Sequence, residues 1–160
     1  MTAPHITNAM LDALIKDARA APRRRKHLNL HHSPSEPCQR LLNAIEPESY
    51  IHPHRHPTYR TNECLIALRG ELALLTFDDA GEVLASHRFG GARATLAVVE
   101  LEPHSWHTVL ALTSGAVLFE TKSGPFDACA AKELAPWAPE EDSFKAARYF
   151  FALHAIVDGL

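Results

Sequence analysis

A mainly β fold, an antiparallel sandwich or barrel with one helix at each end, is what this sequence predicts. Three observations carry the prediction. Between Tyr50 and Thr121 the chain runs as short strand-like segments cut by Gly70, Asp78-Asp79-Ala80-Gly81, Gly90-Gly91, Pro103-His104-Ser105 and Thr113-Ser114. That spacing suits antiparallel strands better than alternating βα units. Apolar residues recur at helical spacing only near the two ends, and no repeat of solenoid length is present.

The first element is a helix over 7–20. Thr7 or Asn8 can cap it, Leu11, Leu14, Ile15 and Ala18 form its apolar stripe, and Pro22 stops it. The basic run Arg23-Arg24-Arg25-Lys26 reads as a solvated linker, with a phosphate or nucleotide-sugar contact as the second reading. Pro34 and Pro37 bracket a turn, and Gln39 to Ile45 is a helical turn or a short strand. Strands are expected near 49–55, 63–69, 71–78, 82–89, 94–101, 107–112 and 116–122. Gly124-Pro125, Pro136 and Pro139 then mark an irregular segment. A last helix is expected from Ser143, with Phe144, Ala147, Phe151 and His154 on one face and Tyr149, Leu153 and Ile156 widening it. A helix this apolar needs burial, against the barrel or a partner subunit. The division that follows is a helical extension at 1–22, a barrel domain at 23–142 and a terminal helix at 143–160.

At 160 residues, 46% hydrophobic and 22% charged, the chain can bury one core without staples. A net charge of −3 with neutral histidines lacks the basic footprint of a nucleic-acid-binding domain. The longest uncharged run, Pro103 to Phe119, is broken by Pro103, His104, His107, Ser114 and Gly115, so no bilayer span is expected. Asp12, Lys16 and Asp17 stand where a signal peptide needs an apolar core, which predicts a cytoplasmic protein. Cys38, Cys64 and Cys129 form no CxxC pair, against a disulfide framework or a zinc ribbon.

Eleven histidines are the unusual count, and six of them fall between His27 and His56. The centre is Ile51-His52-Pro53-His54-Arg55-His56-Pro57. Side chains two apart on a strand share a face, so His54 with His56, or His52 with His54, can reach one point. Glu63 opens the next strand, Gly70 ends it, and His107 opens a later one after the turn at Pro103. Three imidazoles and a carboxylate can hold one divalent transition metal ion, zinc, iron, manganese or nickel, with positions left open.

His54-Arg55-His56, Glu63 and, seven positions on, Gly70 resemble the first cupin motif, and Glu102-Pro103-His104-Ser105-Trp106-His107 resembles the second. Two departures stand out. The stretch between His56 and Glu63 is longer than usual, which predicts an enlarged loop, and His104 stands where the second motif has a glycine. The likeness narrows through Asn29-Leu30-His31, Cys38-Gln39-Arg40-Leu41-Leu42, Ser49-Tyr50-Ile51, Pro53 to Pro57, Trp106-His107, Phe119 to Phe126 and Ala135 to Glu140. Together these are similar to the WbuC-type cupin-fold metalloproteins, a family associated with bacterial surface-polysaccharide (O-antigen) gene clusters. The similarity spans about Arg24 to Glu140. It implies a cupin double-stranded β-helix, or jelly-roll, barrel with flanking helices, and His54, His56, Glu63 and His107 as metal ligands. The family has no settled reaction.

Around these ligands, a tight turn at Thr113-Ser114 would pair strands so that His107 faces Glu120. Glu120 would then orient His107, act as a catalytic base, serve as a fifth metal ligand, or pair with Lys122 or Arg40. Lys122 is its counter-ion or an anion-binding group. Tyr50, Arg40 and His31 are further candidates for substrate binding or for support of the ligands. Cys64, next to Glu63, should point away from the metal by alternation.

Two functions compete ahead of a third, a purely structural metal site in an interaction protein, which four protein ligands around zinc with no open position would favour. One is a metal-dependent enzyme, an isomerase, an epimerase or an oxygenase, acting on a sugar or nucleotide-sugar intermediate of surface-polysaccharide biosynthesis. The other is a non-catalytic sugar-binding or regulatory module. Either takes a small-molecule ligand, a carbohydrate, with no nucleic acid or membrane partner, and forms a homodimer.

Overall fold

The structure is a computed structural model and describes residues 5–57, 62–92, 94–128 and 132–159. Among the described residues, ten strands form two five-stranded sheets, with a helix near each end. Helix α1 spans Asn8–Ala20, and Thr7 caps it by accepting the Met10 N–H on its hydroxyl. The strands are β1 (Arg25–Asn29), β2 (Cys38–Ile45), β3 (His54–Arg55), β4 (Glu63–Arg69), β5 (Glu71–Phe77), β6 (Val83–Gly90), β7 (Val98–Leu101), β8 (Trp106–Ala111), β9 (Ala116–Ser123) and β10 (Glu133–Leu134). Helix α2 spans Ala146–Gly159. One sheet has the order β1-β2-β9-β4-β7 and the other β10-β3-β8-β5-β6. All strand pairs are antiparallel.

The two sheets face each other, and Leu65, Leu72, Leu74, Phe89, Val109 and Leu118 fill one end of the space between them. Each sheet is also covered on its outer face. Leu11, Leu14, Ile15 and Ala18 of α1 pack on Leu42, Ala44 and Val117 of the first sheet. Leu153 and Val157 of α2, with Ala135 and Ala138, cover Ala73, Leu75, Phe77, Trp106 and Leu110 of the second. Double coverage explains why β8 is buried at every position and β5 at all but one. Each fully buried Leu or Ile contributes about 1.5–3 kcal/mol.

Glu46 ties α1 to the β8–β9 connection. Its carboxylate accepts from Arg19 Nε (3.0 Å), Ser114 Oγ (2.6 Å) and the Gly115 N–H (3.1 Å). Burial raises its pKa, but these donors outweigh burial and hold it below the usual carboxylate range.

The structure corrects several expectations. Arg25 and Lys26 are not linker but open β1, and 39–45 lies in a full strand. Of the strand expected at 49–55 only His54–Arg55 is paired, and β7 is confined to Val98–Leu101. β8 and β9 are not a hairpin. They lie in different sheets, and 112–115 crosses between them, because the arch that closes a two-sheet barrel is as short as a hairpin turn. His107 therefore pairs with His54 and Thr76, while Glu120 pairs with Leu41 and Leu65. The face expected to be buried on the last helix is buried only at its edge. Phe144 is 89% and Phe151 76% exposed, and the barrel takes Leu153, from the widened part of that face, together with Ala146 and Val157. A helix apolar around most of its circumference does not announce which side packs. The enlarged loop before Glu63 and Cys129 fall on 58–61 and 129–131, outside the described residues.

Gly70 turns β4 into β5 at φ +69°. A Cβ there would stand 2.5 Å from Thr113 Oγ1 and 2.9 Å from Ala116 Cα. Left-handed backbone costs a non-glycine residue about 1–2 kcal/mol, and overpacking adds a similar amount. Gly70→Ala is expected to lose about 3 kcal/mol in urea unfolding, and a loss below about 1 kcal/mol would show the turn to be adaptable.

Candidate metal centre

The alternation of β3 and the residues after it decides which histidines share the inward face. His54 and His56 turn into the barrel, and His52 turns out, its Nε2–H donating to the Ala135 carbonyl at 2.9 Å. Arg55 also faces out, over the Trp106 ring at 4.2 Å and on the Glu133 carboxylate. β8 brings His107 beside His54, their ring centroids 4.5 Å apart, and His56 lies 5.8 Å from His107. The ligand atoms of His54, His56 and His107 all lie within 4.8 Å of one another. Glu63, 3% exposed on β4, reaches across from the other sheet. Its Oε1 is 2.9 Å from His56 Nε2 and its Oε2 3.3 Å from His107 Nε2.

The protonation of these groups suits a metal. His54 Nδ1–H donates to the His52 carbonyl at 3.0 Å, and His107 Nδ1–H to the Ser105 carbonyl at 2.9 Å. Each bond fixes a tautomer that leaves Nε2 with its lone pair, as bound imidazoles require. Burial first, then the neighbouring His107, holds the His54 pKa well below the usual histidine range, so the ring is neutral. Burial pushes the Glu63 carboxyl up, but hydrogen bonding from His107 and His56 and the charge of Lys122 overcome it and keep the group ionised. His107 thus meets the Ser105 carbonyl at Nδ1 and the Glu63 carboxylate at Nε2. A cation between Nε2 and that carboxylate would be held by both, and three convergent imidazoles supply the donors that a transition metal ion prefers. The residues present fit such an ion.

The cluster lies on the floor of a cavity of about 510 Å³. Ile51, Leu65, Val109 and Leu118 give it an apolar side, and Gln39, Asn43, Glu120 and Lys122 a polar one. Lys122 Nζ bridges the two carboxylates, 2.8 Å from Glu120 Oε1 and 3.3 Å from Glu63 Oε1. Asn43 Nδ2 donates to Glu120 Oε2 at 3.0 Å. Burial raises the Glu120 pKa, and Lys122 only partly offsets it.

The candidates named from sequence divide clearly. His54, His56, Glu63, His107, Glu120, Lys122 and His31 all line the cavity. Arg40 does not, since strand alternation turns it outward, where it pairs with Glu36 while its backbone N–H donates to His31 Nδ1. Tyr50 does not either. It packs between His52, Tyr149 and Phe150, and its hydroxyl donates to the Pro139 carbonyl at 2.8 Å. Cys64 lies between the inward Glu63 and Leu65 and is not among the lining residues. Sequence reasoning missed His27 and Asn29, which line the cavity from β1 beside Arg25, a residue of the basic run read first as a linker and second as a phosphate contact. His104, in place of the motif glycine, keeps the glycine-like backbone at φ +63°, so the turn before His107 is preserved despite the substitution.

A model of one protein family, described as a domain of unknown function (DUF6016), matches residues 6–89, just over half of the chain. The chain belongs to the DUF6016 family. That match includes His54, His56 and Glu63 and ends before His107. Among curated proteins no match is found. Among solved structures the chain is similar to protein SO0799 from Shewanella oneidensis, with 15% identity, a TM-score of 0.58 and 96% of each chain covered. It is also similar to CapF, at 19% identity and a TM-score of 0.57, over 71% of this chain and 32% of CapF. Oxalate decarboxylase from Bacillus subtilis is similar at 16% identity and a TM-score of 0.52, over 69% of this chain and 27% of that one. The chain thus spans about a third or less of the last two proteins. At these identities the likeness establishes the fold, and that fold is the cupin jelly-roll. Among the described residues, no helix is long and apolar enough to cross a membrane.

Proposed function

We propose that this chain is a metal-dependent enzyme acting on a sugar or nucleotide-sugar intermediate of bacterial surface-polysaccharide biosynthesis. The WbuC-type resemblance supplies the pathway. The observation that carries the chemistry is the position of Glu120, whose pKa burial raises, in the same cavity as the histidine cluster. His54, His56, Glu63 and His107 would hold the ion, and a bound divalent ion supplies Lewis-acid polarisation of a carbonyl or hydroxyl. Glu120 is placed to take and return a proton at its carboxylate, its raised pKa bringing it nearer the working range of a general base. Lys122 holds that carboxylate in place and steadies its charged form. Asn43 fixes the second oxygen. The apolar side of the cavity excludes water from the reacting carbon. These roles suit isomerisation or epimerisation next to a carbonyl. A cytoplasmic homodimer belongs to the same reading, and the exposed Phe144 and Phe151 beside and on α2 support burial against a second copy.

Such proton transfer leaves an isotopic signature whatever the product is. The metal-loaded protein, incubated in D₂O with a panel of sugars and nucleotide sugars, is expected to introduce deuterium at one sugar carbon, read by NMR. Glu120→Gln should reduce the rate at least a hundredfold. A sugar that binds the metal-loaded protein but never exchanges would favour the non-catalytic binding module instead.

A further inference from the structure

The histidine cluster uses the floor of the cavity, and the mouth carries charge that proton transfer at Glu120 does not use. Four cationic side chains line the cavity, Arg23, Arg25, Lys122 and Lys132, against the two carboxylates Glu63 and Glu120. Lys122 is committed to both of those carboxylates. Arg23 and Arg25 share a single carboxylate outside the lining, that of Glu141, with each guanidinium contacting both oxygens at 2.6–2.8 Å. Arg25 is locked further by donating Nη1 to the Tyr50 carbonyl (2.9 Å) and Ser49 Oγ (3.2 Å). Two fixed guanidiniums are thus offset by one negative charge. Lys132 has no hydrogen bond or ion pair among the described residues. It stands close enough to Arg23 and Lys122 for their like charges to act on it, with Glu141 and Glu120 on the other side of the balance.

Gathering positive charge around a concave wall works against the fold unless something negative arrives there. A cleft of one sign with low-dielectric walls concentrates anions, and a divalent ion on the floor would add to the same sign. A pair of bonded guanidiniums with an ammonium beside it also matches the way oxyanions are held, by fixed forks and a point charge.

We propose that the mouth of this cavity is a subsite for an oxyanion of the substrate, a phosphoryl or carboxylate group, with Lys132 as its direct donor and Arg23 and Arg25 as its fixed cationic frame. This deepens the enzymatic reading and rests on it: the substrate is anionic at one end and presents an uncharged sugar carbon to the histidine cluster. The second reading of the basic run, a phosphate contact and not a linker, is then the one that applies to Arg23 and Arg25.

Titration calorimetry of the metal-loaded full chain tests this with inorganic phosphate, galacturonate and galactose as probes. At least one of the two anions should bind, at least tenfold more tightly than galactose, and its affinity should fall as salt rises. Binding of phosphate alone identifies a phosphoryl site, and binding of galacturonate alone a carboxylate site. Lys132→Gln should weaken the anion about tenfold, Lys132→Glu should abolish binding, and Lys132→Arg should restore most of it. Lys132 is exposed, so the variants should melt with the wild type. Failure of both anions to bind, or equal binding by Lys132→Glu, overturns the subsite. Elemental analysis of the same samples keeps the two readings apart. Metal present without anion binding removes the subsite and leaves the metal centre. Lys132-dependent anion binding without metal does the reverse.

Discussion

Protein carrying His107→Ala is expected to hold less than one tenth of the metal found in the wild type, when both are purified without a metal-affinity step and analysed for elements. The donor set explains the size of the effect. His107 comes from β8, in the middle of the second sheet, and its ring is fixed by the Ser105 carbonyl. Losing an outer hydrogen-bond partner of a ligand typically costs 10–100-fold in metal affinity, so losing the ligand itself should cost at least the upper end of that range. His52→Ala is the matched control. His52 is a buried neighbour in the same segment, but it is bonded away from the cluster to Ala135, so its loss should leave the metal content near the wild-type value. A second readout avoids reliance on stoichiometry alone. A ligand at a thousandfold excess over its Kd stabilises the folded state by about 4 kcal/mol, so chelation should lower the melting temperature of the wild type and leave that of His107→Ala unmoved. A wild type that neither carries metal nor takes it up on reconstitution would end the metalloprotein reading and favour a metal-free sugar-binding barrel.

The parts of the site that were legible in sequence are those where one strand presents its own pattern. His54 and His56 are two apart, and strand alternation alone puts them on one face. Glu63 and Gly70 bound a strand whose limits were read to the residue, because a glycine between two apolar runs marks a turn, here at positive φ. What failed was pairing between strands. His107 and Glu120 seemed to face each other only if Thr113-Ser114 closed a hairpin, and nothing local distinguishes a hairpin from an arch between sheets. The distinction lies in which partners offer hydrogen bonds, here Glu71 accepting from Leu112. β1 was missed for a related reason. A basic run looks solvated by composition, and only its pairing with β2 shows that Arg25, His27 and Asn29 share an inward face. The resemblance through Tyr50 and Arg40 pointed to residues outside the cavity. Tyr50 anchors the segment after β10, and Arg40 closes the turn at Pro34 through Glu36.

Lys122 links the metal centre to the stability of the barrel, and its removal should show both connections at once. The side chain is 20% exposed, and its ammonium serves Glu63 and Glu120 together. Burial alone would lower its pKa, but the two carboxylates outweigh burial and raise it, so it is charged at neutral pH. Removing one partner of a buried ionic group typically costs 3–5 kcal/mol, because the opposite charge is left uncompensated. Lys122→Met keeps the volume and removes the charge, so metal-free protein should lose about 3–5 kcal/mol in urea unfolding. Glu120→Gln added to it should recover part of the loss, since one of the two stranded carboxylates is then neutral. The loss should be smaller in metal-loaded protein, where a cation compensates Glu63 in place of the ammonium. An equal loss with and without metal would mean that the ion and Lys122 do not share Glu63, and Glu63 would then have to be removed from the ligand set.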